Sequence, residues 1–326
     1  MPLEPGSTSL PAFHTTLLKS RRILALCGAG LSVPSGLPTF RGQGLWRNKQ
    51  AQLLATPKTF ETDPDLVWMF YAARRHAALQ VAPNAGHVAL AELAREMGEG
   101  GFLCLTQNVD GLSPRAGHPH PQLRTLHGSL FDLRCSASSC AYVEHNNTAD
   151  PLCASLAPWS ENVPADLERL PLLDPTAPLP PRIPASELPH CPRCGALLRP
   201  SVVQFGEELD AGMLEEIRAW IDDDAPEEKE KVEEEEGKEE GQGKEEKEKR
   251  GVDLVLAIGT TAEVWPAAGF IVQARKRGAA LAVVNASPDR LGAARDLRFG
   301  DFVFIGDAAE LLPKMMEPLQ EKAGGS

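Results

Sequence analysis

Two polar, glycine-bearing phrases, each placed directly after a short apolar run, constrain this chain more than any other feature. The first is Cys27-Gly-Ala-Gly-Leu-Ser-Val-Pro-Ser-Gly-Leu-Pro-Thr-Phe-Arg-Gly42, which follows Ile23 to Leu26; the second is Thr106-Gln-Asn-Val-Asp-Gly111, which follows Phe102 to Leu105. Continuous apolar runs of this length suit buried parallel strands. In an open α/β sheet, ligands occupy the crevice beyond the carboxyl ends of such strands. Glycines at that place let backbone approach a pyrophosphate, while the polar side chains reach sugar and base.

The rest of the chain supports a parallel sheet covered on both faces. Further strands are expected near Leu123–Leu126, Val252–Ile258, Leu281–Val284 and Phe302–Ile305. Helical patterns at Pro11–Arg22, His87–Met97 and Pro266–Arg277 separate several of them, and Leu53–Gln80 reads as extra helices. The expected fold is therefore α/β, a Rossmann-like parallel sheet with helices on both faces plus a small second module. The large domain is assigned to 9–50, 81–130 and 201–315, with a helical insertion at 51–80. The stretch 131–200 is Pro-rich and irregular, so its stability is expected to come from something besides hydrophobic burial. Within the large domain, 222–250 holds 15 acids against 7 bases. Its Glu/Lys tract, 227–250, cannot bury enough apolar surface to order itself, so it is expected to be a disordered surface insertion; a role as a protein-docking arm is the competing reading.

That insertion carries most of the net charge of −12, which leaves the folded body close to neutral and gives no support to a nucleic-acid-binding surface. No apolar run is long enough to span a membrane. The first twenty residues lack the order of a secretory signal. The cytosol or nucleus is favoured, with the mitochondrion as the alternative.

Seven cysteines, four of them in two close pairs, point to an intracellular metal site and not to a disulfide framework. Cys135/Cys140 and Cys191/Cys194 supply four thiolates for one structural zinc ion, and Cys191-Pro-Arg-Cys194-Gly195 is a knuckle whose glycine relieves the turn. The first pair is widely spaced, so Cys153, His145 or His190 could stand in for Cys140. Cys27 and Cys104, at the ends of apolar strands, read as buried free thiols.

The phrase Gly-Ala-Gly-x-Ser-x-x-Ser-Gly-x-Pro-x-Phe-Arg, followed by Thr-Gln-Asn-x-Asp-Gly, resembles the sirtuins, the NAD-consuming protein deacylases. The resemblance covers about Ser9 to Met315, apart from the charged insertion. It implies that Gly28, Ala29, Gly30 and Ser32 cradle NAD, that Phe40 and Arg41 belong to a loop closing over it, and that Gln107, Asn108, Val109 and Asp110 contact it. Asn108 and Asp110 would orient the ribose and the nicotinamide amide. Gly259, Thr260, Thr261, Asn285, Ala286, Ser287 and Ala308 match positions holding the adenosine half. His127, in Leu-Arg-Thr-Leu-His-Gly-Ser, matches the general base, with Asn108 the other catalytic residue. An imidazole titrating near neutrality suits that task. In the implied mechanism the acyl oxygen attacks the ribose C1′ as nicotinamide leaves, giving an alkylimidate. His127 then activates a ribose hydroxyl, and water completes the conversion to free lysine and O-acyl-ADP-ribose. NAD is consumed and carries no hydride.

The resemblance also implies the substrate side. Val203, Phe205, Gly206 and Glu207 lie in the segment that pairs with substrate backbone as an added strand. Tyr71 and Arg74, at i and i+3, share one helical face, so a hydroxyl and a guanidinium can converge on one carboxylate. They match the Tyr-x-x-Arg pair of the class III branch, which removes succinyl, malonyl and glutaryl groups. Ala51 and Ala55 resemble that branch too, their small side chains leaving room for a longer acyl chain. The partners implied are acylated lysines on proteins. Gln204 departs from the branch, standing where its animal members carry an aromatic residue. The alternatives within the family are a deacetylase or an ADP-ribosyltransferase. Outside it stands a catalytically weak binding protein. A dehydrogenase is disfavoured because Val33 occupies the third glycine position and no acid lies between Arg41 and Gln52.

Overall fold

The computed structural model describes residues 6–38, 49–164, 166–222, 251–288 and 296–324. The expected Phe40–Arg41 loop and the charged insertion, apart from Asp222, lie outside the described residues.

The strands β1 (Ile23–Cys27), β2 (Phe102–Thr106), β3 (Leu123–Thr125), β7 (Leu254–Ile258), β8 (Ala280–Asn285) and β9 (Phe302–Ile305) form one sheet in the order β3-β2-β1-β7-β8-β9. Every pairing in it is parallel. All six correspond to the apolar runs of the sequence. Alternation within β1 shows how the sheet divides its side chains. Ile23, Ala25 and Cys27 face a core with Phe13, Leu90, Leu93 and Leu312, while Leu24 and Leu26 face a second core with Ile217, Ile221, Phe270 and Ile271. The first layer is made by α1 (Leu10–Lys19), α5 (Ala85–Gly101) and α10 (Ala308–Gly324), and the second by α8 (Ala211–Asp222) and α9 (Ala267–Lys276). Cys104 is central in β2 and not at its end; its sulfur lies 3.7 Å from that of Cys27, both thiols being free and buried.

A second, antiparallel sheet has the order β5-β4-β6, from β4 (Gly128–Cys135), β5 (Val143–Glu144) and β6 (Leu198–Val202). Gly128 has φ +76°, and a Cβ there would lie 2.0 Å from the Ser201 carbonyl oxygen, so only glycine lets β4 leave the turn against β6. The expectation of a module with poor core potential is corrected here. Leu130, Leu133, Leu156, Leu170 and Leu173 bury against Trp68 and Phe70 in one cluster. Those aromatics come from α4 (Pro64–Gln80), which with α2 (Lys49–Leu54) and α3 (Pro57–Thr62) forms the helical segment after β1. The Trp68 indole N–H donates to the Leu198 carbonyl at 2.9 Å, fixing α4 to β6. The Pro-rich stretch lacks its own periodicity because a distant helix supplies half of its core. Single turns α6 (Leu112–Arg115) and α7 (Pro158–Glu161) complete the helices.

Candidate active site

The strand order reverses direction at β1, with β2 on one side and β7 on the other, and the crevice at such a switch point is where open α/β sheets bind ligands. A cavity of about 1110 Å³ opens there. Gly28, Ala29, Gly30 and Ser32 line it, as do Gln107 to Asp110. From the later strands come Gly259, Thr260, Thr261, Asn285, Ala286 and Ala308. Ser287, expected with them, is not in the wall.

The glycines of the first phrase have a role the sequence reading did not include. A Cβ on Gly30 would lie 2.6 Å from the Gly259 Cα, and Gly259 itself has φ +59°. The turns after β1 and β7 therefore touch backbone to backbone, and the Gly30 N–H donates to the Gly259 carbonyl at 2.9 Å. This approach shapes the floor on which a pyrophosphate would sit.

The polar side chains tie three turns together. Ser32 Oγ donates to Asp110 at 2.7 Å, and Asn108 Nδ2 donates to the Gly28 carbonyl at 3.0 Å. Gln107 Nε2 donates to Thr260 Oγ1 at 2.9 Å, and Asn285 Nδ2 to the Thr260 carbonyl at 3.1 Å. Asn84, unremarked in the sequence, caps α5 and donates to the Leu31 carbonyl at 2.8 Å, holding the first phrase from behind. Its only local signal is an Asn ahead of a helix.

His127 sits between β3 and β4 and lines the same cavity. Its Nδ1 is 2.9 Å from the Gln107 carbonyl oxygen. A carbonyl only accepts, so Nδ1 carries the proton and Nε2 is left with the lone pair. Burial holds the imidazolium form down, against the opposing pull of the Gln107 carbonyl, so the pKa lies below 6.5.

Tyr71 and Arg74 reach the cavity from α4, and Ala55 reaches it from the turn after α2. Both are buried, not set on a solvated helix face. The Arg74 guanidinium lies 5.5 Å from the Phe70 ring centre and 5.7 Å from that of Tyr71. Burial pushes the Tyr71 phenol up, with Arg74 acting against it, and lowers the Arg74 guanidinium. The neighbouring Arg75 turns away: it donates to the carbonyls of Leu130, Asn147 and Ala149. Ala51 is buried but does not line the cavity.

Val203, Phe205, Gly206 and Glu207 also line it. The Val203 N–H donates to the His127 carbonyl and the Phe205 N–H to the Ala55 carbonyl. Glu207 accepts from Arg199 at 2.7 and 2.8 Å, from Arg134 at 2.8 Å and from the Gln204 N–H at 2.7 Å. Burial raises its pKa, but these donors outweigh that and hold it below the usual carboxylate range. Its carboxylate thus braces the loop that follows β6. Leu167, from the Pro-rich stretch, and Trp265, 67% exposed, also border the cavity; nothing in their local sequence marks them.

The sulfurs of Cys135, Cys140, Cys191 and Cys194 lie within 4.8 Å of one another, with closest pairs at 3.4 and 3.8 Å. Tetrahedral zinc with Zn–S of about 2.3 Å places its ligands roughly 3.8 Å apart, so the donor set fits that ion. His145 instead bonds Asp132, His190 the Leu188 carbonyl, and Cys153 interacts with Ser155.

An open parallel sheet with a large crevice at its switch point, joined to a four-cysteine module, defines a nucleotide-binding α/β protein with a structural metal site. Residues 28–224 match the Sir2 family, and the chain belongs to it. An NAD-dependent protein deacylase of Candida albicans is 39% identical over 95% of this chain and 97% of its own length. The mitochondrial NAD-dependent protein deacylase sirtuin-5 of the dog is 37% identical over 96% of this chain and 86% of its own. A crystal structure of a Sir2 homologue in complex with NAD superposes with a TM-score of 0.69 at 29% identity, covering 98% of both chains.

Proposed function

We propose that this chain is an NAD-dependent protein deacylase that prefers lysines carrying acidic acyl groups, of the succinyl, malonyl and glutaryl kind. NAD enters as co-substrate and supplies the ribose carbon to which the acyl oxygen transfers as nicotinamide departs. Asn108 and Asp110, held by Gly28 and Ser32, orient the ribose end in the crevice. The Nε2 lone pair of His127 takes the proton of a ribose hydroxyl, and the Gln107 carbonyl stabilises the imidazolium so formed. Water then adds to the acyl carbon, lysine leaves as the amine, and the acyl group ends as an ester on ADP-ribose. Val203 to Glu207 flank the substrate; because the Val203 and Phe205 N–H groups are engaged within the chain, an added strand would pair through carbonyls of this segment.

The observation that carries the acyl reading is the burial of Tyr71 and Arg74 in the cavity that also holds His127. A terminal carboxylate on the acyl group offers this guanidinium a bidentate contact that a plain acetyl group lacks. Nicotinamide release with matched acetyl-, malonyl- and succinyl-lysine peptides tests this. Preference for the acidic acyl groups is expected; preference for acetyl would return the chain to the deacetylase reading. The name of the dog relative places that protein in mitochondria, which favours the same compartment here over the cytosol or nucleus. No helix among the described residues is long and apolar enough to cross a membrane.

A further inference from the structure

Gln204 is 3% exposed, and neither its side-chain oxygen nor its side-chain nitrogen has a hydrogen-bond partner. Both ends of a buried amide are rarely left unpaired in a folded protein. The residue borders the same cavity as Tyr71 and Arg74. Its side chain neighbours the Tyr71 phenol and favours the ionised form, against the burial that raises the phenol. The backbone around it is fixed, because its own N–H donates to Glu207 and the next N–H donates to Ala55. The amide thus springs from a fixed point of the wall and brings one donor group and one acceptor group to it.

Donors and acceptors can be counted for an acyl chain ending in a carboxylate. Arg74 donates to the carboxylate, and so does the Tyr71 hydroxyl. The Tyr71 oxygen then accepts from the Gln204 amide nitrogen, which leaves the Gln204 oxygen as a buried acceptor. An unsubstituted succinyl, malonyl or glutaryl chain has no donor to offer it; a hydroxyl on the chain does. We propose that Gln204 is a specificity-determining residue that tunes this pocket to dicarboxylic acyl groups bearing a hydroxyl, of the 3-hydroxyglutaryl type, over their unsubstituted counterparts. The proposal rests on the acidic-acyl reading of the cavity.

The test compares kcat/KM for one peptide sequence carrying acetyl-, glutaryl- or 3-hydroxyglutaryl-lysine, with wild-type protein and with Gln204→Leu and Gln204→Met. Wild type is expected to favour the hydroxylated acyl group over glutaryl by about tenfold, the size of one satisfied buried hydrogen bond. Both variants are expected to bring that ratio near one. A wild-type ratio near one overturns the proposal, since a water molecule then satisfies the amide. A tenfold ratio that survives both substitutions overturns it too, because another group reads the hydroxyl. Acidic peptides outrunning acetyl in either case leave the acidic-acyl reading standing, whereas acetyl outrunning both removes that reading along with the proposal. Should the leucine variant fail to fold, the wild-type ratio and the methionine variant decide.

Discussion

The Nδ1 of His127 donates to the backbone oxygen of Gln107 across 2.9 Å, joining a strand-end histidine to the turn that follows β2. The bond selects one tautomer, and that tautomer presents a basic nitrogen to the cavity. The expected outcome is that His127→Ala abolishes deacylation, a loss of about 10²–10⁴-fold or more. Thermal unfolding of the variant is expected to match wild type. Near-normal turnover would remove His127 from the role of base.

The same environment sets a pH dependence. Burial disfavours the charged imidazole, so the folded pKa is lowered from the ordinary histidine value and the neutral form of His127 persists to lower pH than in a free imidazole. Activity is expected to fall as pH drops through that lowered pKa. The acid limb of a kcat/KM profile is expected to have its midpoint under 6.5; a midpoint at or above 6.5 contradicts the assignment.

Arg74 and Arg75 are adjacent yet separate in consequence. Arg74→Met is expected to raise KM for succinyl-lysine, with a loss of about 1.5–3 kcal/mol for a charged hydrogen bond, and to change turnover of acetyl-lysine far less. Arg75→Met removes bonds to the carbonyls of Leu130, Asn147 and Ala149. Its effect is expected in stability, about 3–5 kcal/mol for a buried charged network, seen as a lowered urea midpoint. Equal losses on acetyl- and succinyl-lysine for Arg74→Met would show that it, too, is only a packing residue.

The fourth sulfur ligand is separable from its neighbours. Cys140→Ser is expected to lose bound zinc, measured by metal analysis, and to lower the melting temperature as chelator does. Cys153→Ser is expected to retain the metal, because Cys153 lies outside the four-sulfur cluster. The reverse result would reassign the ligand.

Gly128→Ala offers a test of the fold next to His127. The new Cβ meets the Ser201 oxygen at 2.0 Å and must adopt φ +76°. Destabilisation of more than about 3 kcal/mol is expected, by denaturant titration, because both the clash and the left-handed backbone oppose it.

Much of this protein is determined locally. Runs of four to seven largely apolar residues specified all six strands of the large sheet, since a strand covered on both faces has little polar side to blur its pattern. The turns after β1 and β2 announced the ligand crevice for the same reason: strand ends in parallel sheets have one place to put polar groups. Cysteine spacing marked the metal module. Tertiary structure alone decided the rest. Helical spacing from Tyr71 suits Arg74 and Arg75 alike, and only the Tyr-x-x-Arg resemblance singled out Arg74; the packing of α4 against β4 and β6 is what physically separates the two guanidinium groups. The core of the Pro-rich stretch was likewise invisible, since Trp68 and Phe70 arrive from a helix distant in sequence. Gln204 acquires its meaning only when burial leaves its amide beside Tyr71 with both ends unpaired. Contacts between segments far apart in the chain depend on the whole packing arrangement, and no local pattern of residues encodes them.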